Sequence, residues 1–408
     1  MEVKKHNHYI ENTSGNNIDK LLFQNNPNIR FKENIVNDFN SLYWVCDTFD
    51  VYYPLSENKK ELYLVYSLFE KKQINILRLS DKKIIKTLAG HSDFIDKVKN
   101  FYNDKDNHNY LLSSDWNKTI FIWDLDNNYE LKNKIITEYT NYIYSSLIYF
   151  KLDYVITSTV GNTEEIDYIK IFNFQKGTFI RDIPNTDNND TLYLLIWEKE
   201  EKEEKENYLI ALCYEKVSIY NLKTDELYGN LSTNVTQSCG DYYLSGFISY
   251  DNKYLYTSSK EGYINIWNLN DKILFKTIFT PNSSFFAITP WSIYVNYSVD
   301  KDDLKLYKYV NNYILVCDKD KNSILIFNII YRNEIDFNEI KNTIENLGEE
   351  DFYKSQIINI SKNRDGFPVK MIKKIKHPIH GDSILCSDEN QNIDLWVNNQ
   401  PIIINDYI

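Results

Sequence analysis

A short apolar pattern recurs along this chain at residues 74–79 (INILRL), 120–125 (IFIWDL), 169–174 (IKIFNF), 217–222 (VSIYNL), 264–269 (INIWNL), 324–329 (ILIFNI) and 393–398 (IDLWVN). Its fourth position is always large: Leu77, Trp123, Phe172, Tyr220, Trp267, Phe327 and Trp396, at steps of 46, 49, 48, 47, 60 and 69 residues. A second β-branched and aromatic run precedes each copy, at 61–67, 110–114, 153–159, 208–214, 254–259, 313–318 and 383–387. Most copies are followed by another, as at 83–88, 178–183 and 272–279. Polar clusters such as Asp115-Trp116-Asn117-Lys118 separate the runs, which therefore read as strands joined by hairpins. The repeating unit is four antiparallel strands.

A lone four-stranded sheet with both faces apolar cannot bury itself, whereas sheets set radially cover each other's faces and leave only short edges. The pattern thus predicts an all-β chain, a seven-bladed propeller spanning residues 29–408 behind a flexible polar tail of residues 1–28. Helical periodicity is almost absent outside 336–351, where DFNEIKNTIENLGEED is a candidate amphipathic helix. Insertions are expected at about 293–310 and 336–365, and Glu198 to Glu206 (EKEEKEEKE) reads as a solvated loop of blade four. Two segments compete for the last outer strand, 29–33 and 401–406. The first is favoured because joining the chain ends in one blade resists unzipping of the ring.

One stretch, residues 88–125, carries more than periodicity. Gly90-His91 opens it, Ser113-Ser114 ends a strand, Asn117 sits in a tight turn and Trp123-Asp124 closes the next strand. It resembles a complete WD40 repeat, and the steps of the first blades are near the family's period of roughly 40–45 residues. The resemblance implies a seven-bladed WD40-like β-propeller and a structural hydrogen-bond set of His91, Ser113 or Ser114, Asn117 and Trp123, with Asn117 standing where the family has aspartate. It also implies a docking face built from the loops leading into the blades and the turns between second and third strands, which hold Ser92, Asp93, Asp115, Trp116, Lys260 and Glu261. Outside blade two no second Gly-His pair precedes such a hexamer, so the repeats are degenerate.

The net charge of −12 disfavours a broad phosphate-binding surface and hence nucleic acid as the main partner. The arginines Arg30, Arg78, Arg181, Arg332 and Arg364 are scattered, which removes clustered-guanidinium recognition of phosphopeptides. Five widely spaced cysteines, Cys46, Cys213, Cys239, Cys317 and Cys386, read as buried thiols rather than a disulfide framework. The longest nearly apolar stretch, 285–295, is interrupted by Pro290 and is too short to span a bilayer. A soluble, cytoplasmic protein is expected.

Chemistry is sparse. No GxGxxG, GxxxxGK, GxSxG, HExxH or CxxC occurs, so nucleotide, nucleophilic and zinc-hydrolase readings lack their minimum parts, and no cofactor or metal is expected. His377-Pro378-Ile379-His380 reads as a counterpart of Gly90-His91 in the last blade rather than a metal pair. The basic run 370–376 (KMIKKIK) is a candidate contact for anionic lipid and fits a strand as well. The reading that follows is a non-catalytic protein-interaction scaffold, a component of a larger complex. The alternatives are a phosphoinositide-binding propeller and a propeller enzyme with its site in the central channel.

Overall fold

The computed structural model describes residues 29–36, 49–54, 61–67, 71–139, 142–159, 168–184, 191–200, 205–213, 216–231, 243–249, 252–280, 283–298, 306–318, 323–331, 358–359, 369–377, 379–388 and 392–398. They form an all-β molecule, seven antiparallel sheets of four strands each arranged as a propeller.

Blade one is Phe49–Tyr52, Tyr63–Ser67, Gln73–Arg78 and Lys83–Ala89. Blade two is Ile95–Asn103, His108–Asp115, Thr119–Asp124 and Glu130–Ile136. Blade three is Ile143–Tyr149, Tyr154–Thr159, Tyr168–Asn173 and Phe179–Pro184. Blade four is Thr191–Glu200, Lys205–Cys213, Val217–Asn221 and Leu227–Leu231. Blade five is Tyr243–Ile248, Tyr254–Ser259, Tyr263–Asn268 and Ile273–Phe279. Blade six is Phe285–Ser298, Leu306–Asp318, Ser323–Tyr331 and Ile358–Asn359. Blade seven takes Val369–His377, Gly381–Asp388 and Ile393–Asn398 from the carboxyl end and Ile29–Val36 from the amino end, paired antiparallel from Ile29↔Asn398 to Val36↔Ile393.

The hexamers are the third strands, and their alternation explains the packing. Successive strand residues point to opposite faces. The large fourth position of every hexamer packs against the preceding blade: Trp123 meets Val65 and Ile76 of blade one, and Trp267 meets Trp197 and Tyr208 of blade four. Leu77 closes the circle by packing with Ile375 and Leu385 of blade seven. The first and third positions face the other way, as Ile120 and Ile122 do toward Ile148 and Val155 of blade three. Among the described residues there are seven apolar clusters, each joining one blade to the next. A strand buried on both faces reads as a nearly continuous apolar run, which is why the pattern is so visible in the sequence.

The expected insertion at 293–310 is an extension of a hairpin, whereas the one at 336–365 lies outside the described residues apart from Ile358–Asn359. In blade six the first two strands stay paired through Trp291↔Tyr313 to Ser298↔Leu306. In blade four the charged run remains in the sheet through Lys199↔Glu206 and Glu200↔Lys205, opposite charges directly across the ladder, which favours pairing over a loop. The candidate helix at 336–351, the tail 1–28 and the segment 401–406 lie outside the described residues. Among those described, no helix is long and apolar enough to cross a membrane, and Cys213, Cys317 and Cys386 are buried free thiols.

Candidate functional site

The loop leading into blade two and the turn between its second and third strands hold most of the residues singled out in the sequence. Gly90 has φ +146°, and a Cβ there would lie 2.8 Å from the Phe121 ring. The glycine thus lets Phe121 lie against the backbone, where it stacks on His91 with ring centroids 4.2 Å apart.

Behind that ring runs a buried chain of polar groups. The Trp123 indole N–H donates to Ser113 Oγ at 3.0 Å, and Ser113 Oγ is 2.7 Å from His91 Nε2. On its other side His91 Nδ1 is 3.0 Å from Asp115 Oδ2, while Asp115 Oδ1 accepts the Thr119 N–H at 3.0 Å. One neutral tautomer satisfies every member: Nδ1–H donates to the carboxylate and Nε2 accepts from the serine hydroxyl. Burial works to raise the Asp115 carboxyl, but the hydrogen bonds from His91 and the Thr119 N–H outweigh it and hold the pKa below the ordinary value.

This corrects the expected set in two respects. The acid is Asp115, not Asn117. Residues 113 and 115 are two apart on one strand and emerge on one face, whereas Asn117 lies in the exposed turn, where its amide donates to Ser92 Oγ at 3.0 Å. Asp115 is moreover fully buried and is withdrawn from the docking residues. A serine, histidine and aspartate in this order also make a nucleophilic triad. Here Ser113 has no exposure and its Oγ already accepts the Trp123 N–H, so no substrate carbon can approach it.

Around this chain three blades contribute to one surface. Lys72, in the corresponding turn of blade one, donates to the Ser92 carbonyl at 2.7 Å, lies 3.9 Å from the Asp93 carboxylate and sits over the Phe94 ring at 5.7 Å. Trp116 packs edge-on against Phe94, centroids 5.4 Å apart, and against Tyr142 at the start of blade three, 5.2 Å away. Ser92 is exposed, and Asp93 and Trp116 are half-buried. Tyr142 is half exposed and had no signal in the sequence beyond being an aromatic before a strand. Lys260, exposed, and Glu261, half-buried, occupy the equivalent turn of blade five, with blades three and four between them and Trp116.

The other candidates fare differently. His377 ends the first strand of blade seven, and its Nδ1 accepts the N–H groups of Ile379 and His380 at 3.2 and 3.3 Å, closing a tight hairpin. It is a turn residue, not a counterpart of His91, which precedes a first strand. Within the basic run, Lys373 forms an ion pair with buried Asp50 of blade one, while Ile372 and Ile375 point into two blade interfaces. Asp50 also accepts the Asn100 N–H of blade two at 2.8 Å, so three blades meet on one carboxylate at the ring's seam. Sequence reasoning missed this residue because its partners are about 50 and 320 positions away. Among the described residues no group of three or more His, Cys, Asp or Glu could hold a metal ion.

A closed ring of seven four-stranded blades is a seven-bladed β-propeller, and blade two, with its Trp-Ser-His-Asp chain behind a Gly-His pair, is built like a WD40 repeat. The comparison with known families agrees: residues 82–124 match the family model described as WD domain, G-beta repeat. The match covers the outer strand of blade one and the first three strands of blade two, so the sequence repeat is offset by one strand from the structural blade. No curated protein matches the chain.

Proposed function

We propose that this chain is a non-catalytic scaffold that holds a protein partner on the surface formed by Ser92, Asp93, Trp116 and Tyr142. The observation that carries the reading is the way three blades converge there. Lys72, the Ser92–Phe94 loop, Trp116 and Tyr142 form one connected aromatic and polar cluster, with Tyr142 50% exposed. Aromatic side chains held rigidly at a surface lose little entropy on binding and are enriched among residues that dominate interface energies. Lys260 and Glu261 extend the same kind of surface on blade five. WD40 propellers commonly serve as interaction scaffolds, and the buried free thiols fit a reducing cytoplasm.

Trp116 packs on its neighbours, so the decisive variant is Tyr142→Ser, with Trp116→Ala beside it. Affinity capture from native extract with the wild-type chain gives the partner, and the variants are then compared at matched thermal stability. Tyr142→Ser is expected to keep the melting temperature and lose most of the captured partner. Retention of the partner by Tyr142→Ser, Trp116→Ala and Ser92→Glu, all folded, would overturn the assignment of this face.

A further inference from the structure

The second half of the first strand in blade two turns a lysine onto aromatic rings. Lys99 Nζ is 5.5 Å from the centroid of Phe101 and 5.4 Å from that of Tyr193, a blade-four residue reached across blade three. Among the described residues Lys99 has no carboxylate partner, in a chain whose net charge is −12. Asp96 on its own strand and Asp50 on the first strand of blade one are already engaged. Asp50 is held by Lys373 and by two backbone N–H groups, and Asp96 accepts from Ser114 Oγ at 2.9 Å.

Beside Lys99 opens a cavity of about 380 Å³, at the small end of ligand pockets, which run from ~300 to ~1,000 Å³. Its walls are the first strands of blades two, three and four. Leu147 and Leu194 form a buried floor, and Leu195 and Ile196 a half-exposed side. The one carboxylate in the lining, Glu198, is paired with Lys151 and accepts the Tyr149 hydroxyl at 3.1 Å. The Trp197 indole donates to the Asn252 carbonyl at 2.9 Å and fixes the rim. The cavity therefore presents one uncompensated positive charge above an apolar surface.

We propose that this cavity binds a small amphipathic monoanion, its charged head at Lys99 and its apolar body against Leu147, Leu195 and Ile196. A cation resting on ring faces keeps its outer side open to an anion, because the rings hold it only weakly. Polyanions are disfavoured because a single lysine faces a rim that carries Glu198. The cavity lies toward the far end of the first strands from Ser92, so the proposal is independent of the docking face.

Calorimetric titration of the full chain with octanoate, and with octan-1-ol and octylammonium as controls, tests it. Octanoate is expected to bind at least about tenfold more tightly than either control. Lys99→Gln should remove that preference, Lys99→Arg should keep it, and Leu195→Trp should block all three ligands with the melting temperature unchanged. Absence of octanoate binding, equal binding of octan-1-ol, or an unaltered preference in folded Lys99→Gln would each overturn the proposal.

Discussion

The Trp267 indole donates to Thr257 Oγ1 at 3.0 Å, ten residues back along the chain, the same separation at which Trp123 reaches Ser113. Blade five repeats blade two further: Ser259 Oγ accepts the Tyr263 N–H four residues on, as Asp115 accepts that of Thr119. A hydroxyl stands in for the carboxylate, and hydrogen bonds to a charged acceptor are roughly twice as strong as neutral ones. The tie between strands is thus built on one plan in both blades, with its charged form in blade two.

That difference sets the first prediction. Asp115→Ala leaves the His91 ring N–H and the Thr119 N–H buried without an acceptor and should destabilise the chain by about 3 kcal/mol. Asn117→Ala, which removes one exposed contact, should cost about 0.5 kcal/mol or less. Because the folded-state pKa of Asp115 is lowered, its contribution is present above the ordinary carboxylate pKa and is lost as pH falls through the lowered value. Urea unfolding of both variants across the acid range checks this. Equal losses would return Asn117 to the buried chain.

The second prediction concerns Asp96, whose carboxyl is pushed up to about 7 by burial. A raised acid contributes most stability below its unfolded pKa, and that contribution is lost as pH rises through about 7. Asp96→Asn keeps an acceptor for Ser114 and removes the buried charge. It should therefore stabilise the chain near pH 8.5, by at most about 4 kcal/mol, and change little near pH 4.5. Thermal unfolding at both pH values decides it; an equal effect at the two would assign the change to packing.

The third prediction follows from the seam. Ile35 and Val36 are buried among Leu385, Ile393 and Leu395, and their strand covers the edge of Ile393–Asn398. Deleting residues 1–36 removes roughly two buried aliphatic side chains and a ladder of hydrogen bonds, a loss of at least about 3 kcal/mol, and bares a strand edge. A lower melting temperature with aggregation is expected, partly reversed by adding a peptide of residues 29–36. An unchanged melting temperature would mean that the ring is held without this strand.

Much of this architecture was legible in the sequence because the blades bury both faces. Trp123, Tyr220 and Trp396 stand at one position of one hexamer, and each packs on the blade before it. The polar site was harder to read. Choosing Asn117 over Asp115 followed the tight turn instead of the alternation along the strand, which puts Ser113 and Asp115 on one face. Tyr142 and Lys99 left no local signal, since each acquires meaning only from a ring on another blade. Pairing of the charged hairpin of blade four could have been found from the opposite charges that face each other in Lys199↔Glu206 and Glu200↔Lys205.

The strand Ile29–Val36 also imposes an order on the life of the chain. Its partner, Ile393–Asn398, is about 360 residues further on and emerges after every other strand of the ring. Throughout synthesis the early strand carries buried-type residues with nothing to lie against, and contacts at this separation form slowly. The blades between can assemble one upon the next as they emerge, but the circle is completed only once Ile393–Asn398 has emerged. The nascent chain is thus an open arc with two sticky ends, and the interval before closure is when chaperones, or a second copy, would find it.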